Sequence, residues 1–132
     1  MENKKIMVCD DDQGILDVLH MLLESEGFDV ITEINSTNLI KEMKTNSPDL
    51  LLLDLWMPVL SGDQVLKTLR TTKEFEHLPV VVLSASVDGS SIANGAGATD
   101  FVPKPFDMDD LIIKIRGLLS NSGIDRVFKA TS

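Results

Sequence analysis

Cysteine and histidine are scarce in this sequence, with one cysteine and two histidines in 132 residues. A lone Cys9 excludes an intrachain disulfide and fits a reducing compartment. His20 and His77 stand far apart, and neither belongs to a Cys/His group at zinc spacing. No apolar run approaches the length of a membrane span, and the one after "MENKK" is too short for a signal peptide. The phosphate-cradling patterns GxGxxG and GxxxxGK[ST] are missing. Basic residues are outnumbered, 12 against 21 acidic ones, which leaves a net charge of -9. Such a surface repels nucleic acid and anionic lipid, because docking releases no counterions. These absences imply a soluble cytoplasmic domain with neither membrane nor nucleic acid as its partner. The length is that of one domain, sufficient for a core without staples.

What the chain does contain is an alternation of two kinds of segment. Short apolar runs at 5–9, 28–32, 50–54, 80–84 and 100–103 have the look of strands buried on both faces. Between them lie segments of helical period. Ile15, Leu19, Leu22 and Leu23 share a face in 14–26; Leu39, Ile40 and Met43 do so in 36–46, with Ser36 as the expected N-cap. Val65, Leu66 and Leu69 follow the pattern in 63–71. Leu111, Ile112, Ile115, Leu118 and Leu119 make a stripe in 107–120, with Asp107 as cap. The alternation implies right-handed crossovers and a parallel sheet covered on both sides, an α/β fold. Residues 86–99 are the weak segment. Gly89, Gly95 and Gly97 surround a single large apolar residue, Ile92, so a helix of a turn or two or a mobile loop is expected. Gly123 reads as a helix stop. Residues 121–132 read as a C-terminal tail or the start of a linker, in which Val127 and Phe128 could dock on the domain.

In an open parallel sheet, ligands bind at the carboxyl ends of the strands. Those ends carry Asp10, Asp11 and Asp12 after the first strand, Asp54 after the third, Ser84 after the fourth and Lys104 after the fifth. Two carboxylates about 4 Å apart repel by about 4 kcal/mol at an effective dielectric near 20. A cluster of them must hold a proton, pair with a cation or bind a metal, and an all-oxygen set suits magnesium. The same loop would repel a bare phosphate. Taken alone, the aspartate run is equally well a helix cap. Asp54 and Ser84 alone are ordinary turn residues, and Lys104 alone is a surface charge. Their shared edge shifts the balance toward a site.

The stretches "IMVCDDDQGI" (6–15), "PDLLLLDLWMPVLSG" (48–62), "PVVVLSA" (79–85) and "AGATDFVPKPF" (96–106), with the closing amphipathic helix, resemble the receiver domain of two-component response regulators. The resemblance covers about residues 4–120, so that 1–120 would be the receiver. It implies a flavodoxin-like, doubly wound five-stranded parallel sheet of order 2-1-3-4-5 with five flanking helices, the fourth short or irregular. It implies that Asp54 is the phosphoryl acceptor. Asp11 would ligate Mg2+ (or Mn2+) directly and Asp10 mainly through water, with the Trp56 backbone carbonyl as a further ligand. Asp12 falls outside the family's acidic pair and is read as the helix cap. Ser84 would hydrogen-bond a phosphoryl oxygen, Lys104 would bridge to the phosphoryl group, and the Lys104–Pro105 bond would be cis. Phe101 stands at the position of the switch aromatic. Trp56, bulky beside the acceptor, would slow attack by water on the acyl phosphate. The glycine-rich 86–99 segment is shorter than the family's usual region, which implies a non-standard output face.

The implied partner is a sensor histidine kinase or a histidine phosphotransfer protein, with catalysis limited to the chain's own phosphorylation and dephosphorylation. A receiver-like interaction module that signals without phosphorylation is the alternative. A phosphatase of the haloacid-dehalogenase type fits less well, because its second aspartate would stand where Trp56 does. The sequence holds no recognisable output domain, so it reads as a receiver acting by protein contact or as a piece of a longer chain. Cys9 and the methionines read as core filler, and His20 as a surface or partner-facing residue.

Overall fold

The computed structural model describes residues 3–86 and 88–131, with side chains to Ser120. Five strands, β1 (Lys5–Cys9), β2 (Asp29–Glu33), β3 (Leu50–Asp54), β4 (Val80–Ser84) and β5 (Asp100–Pro103), alternate with five helices. These are α1 (Gln13–Ser25), α2 (Leu39–Asn46), α3 (Gly62–Thr71), α4 (Gly89–Ala96) and α5 (Met108–Thr131). The strands form one sheet in the order β2-β1-β3-β4-β5, parallel throughout.

Side chains alternate across each strand, so the sheet feeds two cores. Ile6, Val8, Leu50, Leu52, Val81 and Leu83 pack against Leu16, Leu19 and Leu23 of α1 and Leu111, Ile112 and Ile115 of α5. Met7, Cys9, Leu51, Leu53, Val80 and Val82 meet Leu39 and Met43 of α2, Val65, Leu66 and Leu69 of α3, and Ala93 and Ala96 of α4. The three central strands are buried on both sides as expected. β2 and β5 are only half-buried, because each closes an edge of the sheet.

The ends of the helices follow local chemistry. Asp12 caps α1, its carboxylate accepting from the Gly14 and Ile15 amides at 2.9 and 3.3 Å. Asp107 accepts from the Asp110 amide at 3.1 Å at the start of α5. Ser36 does not cap α2. Residues Ser36–Asn38 form a 3-10 turn capped by Asn35, and the Ser36 hydroxyl is buried and donates to the Pro58 carbonyl across the next loop. The weak segment is a helix of eight residues, α4, ended by Gly97 in the left-handed region at φ 98°. Gly123 does not stop α5, which runs on to Thr131; a glycine weakens a helix without forbidding it. The side chains of Val127 and Phe128 lie outside the described residues. Met7, Met43 and Met57 fill the core, but Met21 is exposed on the outer face of α1.

Arg70 ties the lower edge together. Its guanidinium donates to the carbonyls of Leu78 (2.7 Å), Gly97 (2.8 Å) and Phe75 (3.0 Å), which fixes the C-terminal end of α4.

The loop after β3 is under backbone strain. The Leu60 amide donates to the Pro58 carbonyl at 2.8 Å, closing a γ-turn on Val59 at φ 70°. A β-branched residue is a poor occupant of that region, and Val59 is 91% exposed, so packing does not compensate. Such strain costs about 1–3 kcal/mol. Val59→Gly is expected to stabilise the fold against urea by about 1 kcal/mol, since glycine has no Cβ to clash at positive φ. Equal or lower stability of the variant would contradict the assignment of strain.

Candidate functional site

The carboxyl ends of β1, β3, β4 and β5 deliver the site residues to one edge. Asp10 follows β1, Asp54 ends β3, Ser84 ends β4 and Lys104 follows β5. Lys104 Nζ donates to Asp10 Oδ2 at 2.8 Å and to Asp54 Oδ1 at 3.0 Å. Its backbone amide donates to the Ser84 carbonyl at 2.8 Å, which locks the start of the β5–α5 loop to the end of β4. The Lys104–Pro105 peptide is cis. Asp10 is 1% exposed and Asp54 5%, and the second Asp10 oxygen accepts from the Asp12 amide at 2.9 Å.

Asp11 is exposed at the mouth of this site. Carboxylate oxygens of Asp10, Asp11 and Asp54 all lie within 4.8 Å of one another. Three carboxylates face one ammonium. Burial, aided by the charges of Asp10 and Asp11, raises the Asp54 carboxyl to about 6 despite the opposing bond from Lys104. Burial pulls the Lys104 ammonium down, but its bonds to Asp10 and Asp54 outweigh that, and its net shift is upward. A divalent cation among these oxygens would cancel the surplus. The donor set is all oxygen, and Asp11 leaves an approach from solvent, so the residues fit a hard cation.

Ser84 is buried at the end of β4, and its hydroxyl accepts from the Ser86 amide at 3.1 Å. Phe101 lies half-buried on β5 against the core shared with α3 and α4. Trp56, two residues beyond Asp54, is 50% exposed. Cys9 sits beneath the site with Sγ 3.7 Å from Met57 Sδ, and burial, then nearby carboxylates led by Glu33, pushes its thiol up to about 12. A thiol so raised is a core group rather than a nucleophile. His20 reaches Glu24 on the surface of α1 and takes no part in the site.

Two residues of this region were not singled out from the sequence for a role at the site. Gly62 begins α3, its amide donating to the Leu55 carbonyl at 2.7 Å, and a Cβ there would collide with the Asp54 carbonyl oxygen. The Ser-Gly pair ahead of a helical stripe was the available signal. Gly89 begins α4 in contact with Ser84 and Phe101, and nothing in its local sequence marks it.

A family model described as the response regulator receiver domain matches residues 6–116. The chain belongs to that family. Curated relatives include the alkaline phosphatase synthesis transcriptional regulatory protein PhoP of Bacillus subtilis, 36% identical over 124 residues, and the phosphate regulon transcriptional regulatory protein PhoB of Rhizobium meliloti, 34% identical over 117. These alignments take in 92% and 87% of this chain but 51% and 52% of the relatives, so the chain spans about half their length. Among solved structures, a receiver domain of a Francisella response regulator is 32% identical with a TM-score of 0.82, covering 91% of this chain and 99% of that one. A CheY-like receiver domain protein from Methanospirillum hungatei is 25% identical with a TM-score of 0.86, covering 94% and 99%. The fold is thus the flavodoxin-like receiver fold, and no helix among the described residues is long and apolar enough to cross a membrane.

The raised Asp54 carboxyl has a consequence for stability in the metal-free receiver. Between pH 3.8 and about 6 the folded chain keeps a proton that the unfolded chain has released, so stability falls as pH rises through that window. Asp54→Asn removes the cost and keeps an oxygen for Lys104. With EDTA present, the variant is expected to be more stable than wild type at pH 7.5 by about 1–3 kcal/mol. The advantage should vanish at pH 4. Urea unfolding at both pH values checks this, and a wild type at least as stable at pH 7.5 would contradict it.

Proposed function

We propose that this receiver accepts a phosphoryl group on Asp54 from the phosphohistidine of a sensor histidine kinase or a histidine phosphotransfer protein. The observation that carries the reading is the Lys104 ammonium held between buried Asp10 and Asp54 at the carboxyl edge of the sheet. An Asp54 oxygen attacks phosphorus, the phosphorus–nitrogen bond of the donor breaks, and the imidazole leaves and takes a proton. Phosphoryl transfer is chiefly positioning and charge neutralisation. Lys104 supplies a positive charge already aimed at Asp54. Asp10, Asp11, Asp54 and the Trp56 backbone carbonyl would hold Mg2+ (or Mn2+), which supplies the remaining neutralisation. Ser84, on the neighbouring strand, donates its hydroxyl to a phosphoryl oxygen. Drawing the Ser84 hydroxyl toward the phosphoryl group vacates space into which Phe101 turns as the switch aromatic, and the chain thereby changes its affinity for a partner protein.

Supporting this reading, a groove of about 700 Å3 opens beside Lys104, lined by Ile15 and Val18 of α1 and by Pro105, Phe106 and Met108. Lys104 both lines this groove and donates to Asp54, so a donor seated on α1 would bring its phosphohistidine toward the acceptor. Trp56, two residues beyond the acceptor and half-exposed, is placed to slow attack by water on the acyl phosphate. The chain performs only its own phosphorylation and dephosphorylation, in the cytoplasm, and its net charge of -9 argues against nucleic acid contact by this domain.

The test is incubation with Mg2+ and acetyl phosphate, followed by intact mass and Trp56 fluorescence, beside Asp54→Asn. Gain of one phosphoryl group by wild type alone, with a fluorescence change, is expected. No gain from acetyl phosphate or from a phosphohistidine donor would overturn the reading and leave an interaction module that works without phosphorylation.

A further inference from the structure

Gly89 is the first residue of α4 and is buried. Its φ is not in the left-handed region, the positive-φ glycines of the described residues being Gly27 and Gly97. The backbone there would accept any L residue, and alanine would be the better helix former. Conformational freedom therefore does not account for this glycine, but space does. A Cβ built at Gly89 would lie 3.0 Å from Phe101 Cε2, 3.0 Å from Ser84 Cβ and 3.0 Å from Ser84 Oγ. Each distance is shorter than an ordinary van der Waals contact. The three atoms belong to the two residues that the proposed function casts as the phosphoryl sensor and the switch aromatic.

We infer that Gly89 is a positioning residue whose missing side chain forms the slot that seats the Phe101 ring against Ser84. The neighbours differ in their freedom to yield. Ser84 is held in register opposite Pro103 of β5 and its carbonyl accepts from the Lys104 amide at 2.8 Å, so its Cβ cannot move without the sheet. The far end of α4 is anchored where Arg70 Nε donates to the Gly97 carbonyl at 2.8 Å. A methyl group at 89 must therefore turn the ring outward or lift the first turn of α4. Either response couples position 89 to the ring and sets how closely Ser84 Oγ can follow a phosphoryl oxygen. The short α4 thus contributes to the switch through a side chain it does not have. Its role as part of a switch rests on the reading of Ser84 and Phe101 given above, whereas the slot itself does not.

The test compares wild type, Gly89→Ala, Phe101→Leu and the double variant, each as the full chain. Nuclear Overhauser contacts between the Phe101 ring and the α-protons of Gly89 are expected in wild type, with loss of the ring contact in Gly89→Ala. Labelling of Asp54 by acetyl phosphate should slow about three- to tenfold in Gly89→Ala. In the double variant it should return to within about twofold of Phe101→Leu alone, since removing the ring edge relieves the methyl. A helix-stability role would give the same Gly89→Ala effect in both backgrounds, and that result overturns the inference. A ring contact unchanged in Gly89→Ala overturns it equally. Failure of wild type to take up phosphate would instead refute the phosphoacceptor reading, while the ring contacts still decide the slot.

Discussion

One ammonium group shared by two buried carboxylates is the constraint around which this receiver is arranged. Lys104 follows the last strand, Asp10 follows the first and Asp54 ends the third, and the two aspartates are 94 and 50 residues away from Lys104 in sequence. Burying charge is costly, and loss of Lys104, the one cation paired with both carboxylates, would leave buried charge uncompensated at a typical cost of about 3–5 kcal/mol. The chain meets that demand with rigid supports. The Lys104 amide is pinned to the Ser84 carbonyl, the Asp12 amide satisfies the second oxygen of Asp10, and α3 abuts the Asp54 carbonyl through Gly62. Among the described residues no buried side-chain polar atom lacks a partner.

That arrangement is still unbalanced, and its chemistry follows from the imbalance. Burial, with the charges of Asp10 and Asp11 added to it, makes Asp54 hold its proton more tightly than an ordinary aspartate despite the bond from Lys104. Asp10, Asp11 and Asp54 would hold a divalent cation there, and its charge would favour the ionised form of Asp54. The same surplus explains why the loop after β1 cannot hold a phosphate by itself. The two cores keep the strand ends in place, since each central strand sends alternate side chains to α1 and α5 on one side and to α2, α3 and α4 on the other.

The features readable in the sequence are those set by local chemistry. The apolar runs placed all five strands to within a residue, Asp12 and Asp107 cap where their spacing said, and the glycines of 86–99 do yield a short helix. What escaped depends on partners distant in the chain. Ser36 has the composition of a cap, but its hydroxyl is drawn to Pro58 on the next loop, and Asn35 takes the capping role. Met21 sits in an apolar helix yet faces solvent. The roles of Gly62 and Gly89 are defined by atoms of Asp54, Ser84 and Phe101, which only the folded chain brings within reach. The site aspartates and Lys104 were visible because they end or follow strands that converge at one edge, but the pairing of Lys104 with Asp10 and Asp54 together depends on the folded geometry.

The site carries more negative charge than its lysine can balance, a surplus that a divalent cation held by Asp10, Asp11 and Asp54 would offset. The most direct measurement is a carbon-13 titration of the Asp54 carboxyl with EDTA and again with saturating Mg2+. The account predicts a midpoint near 6 without metal and a clear downward displacement with it. A midpoint near the ordinary aspartate value of about 4 in both conditions would contradict it.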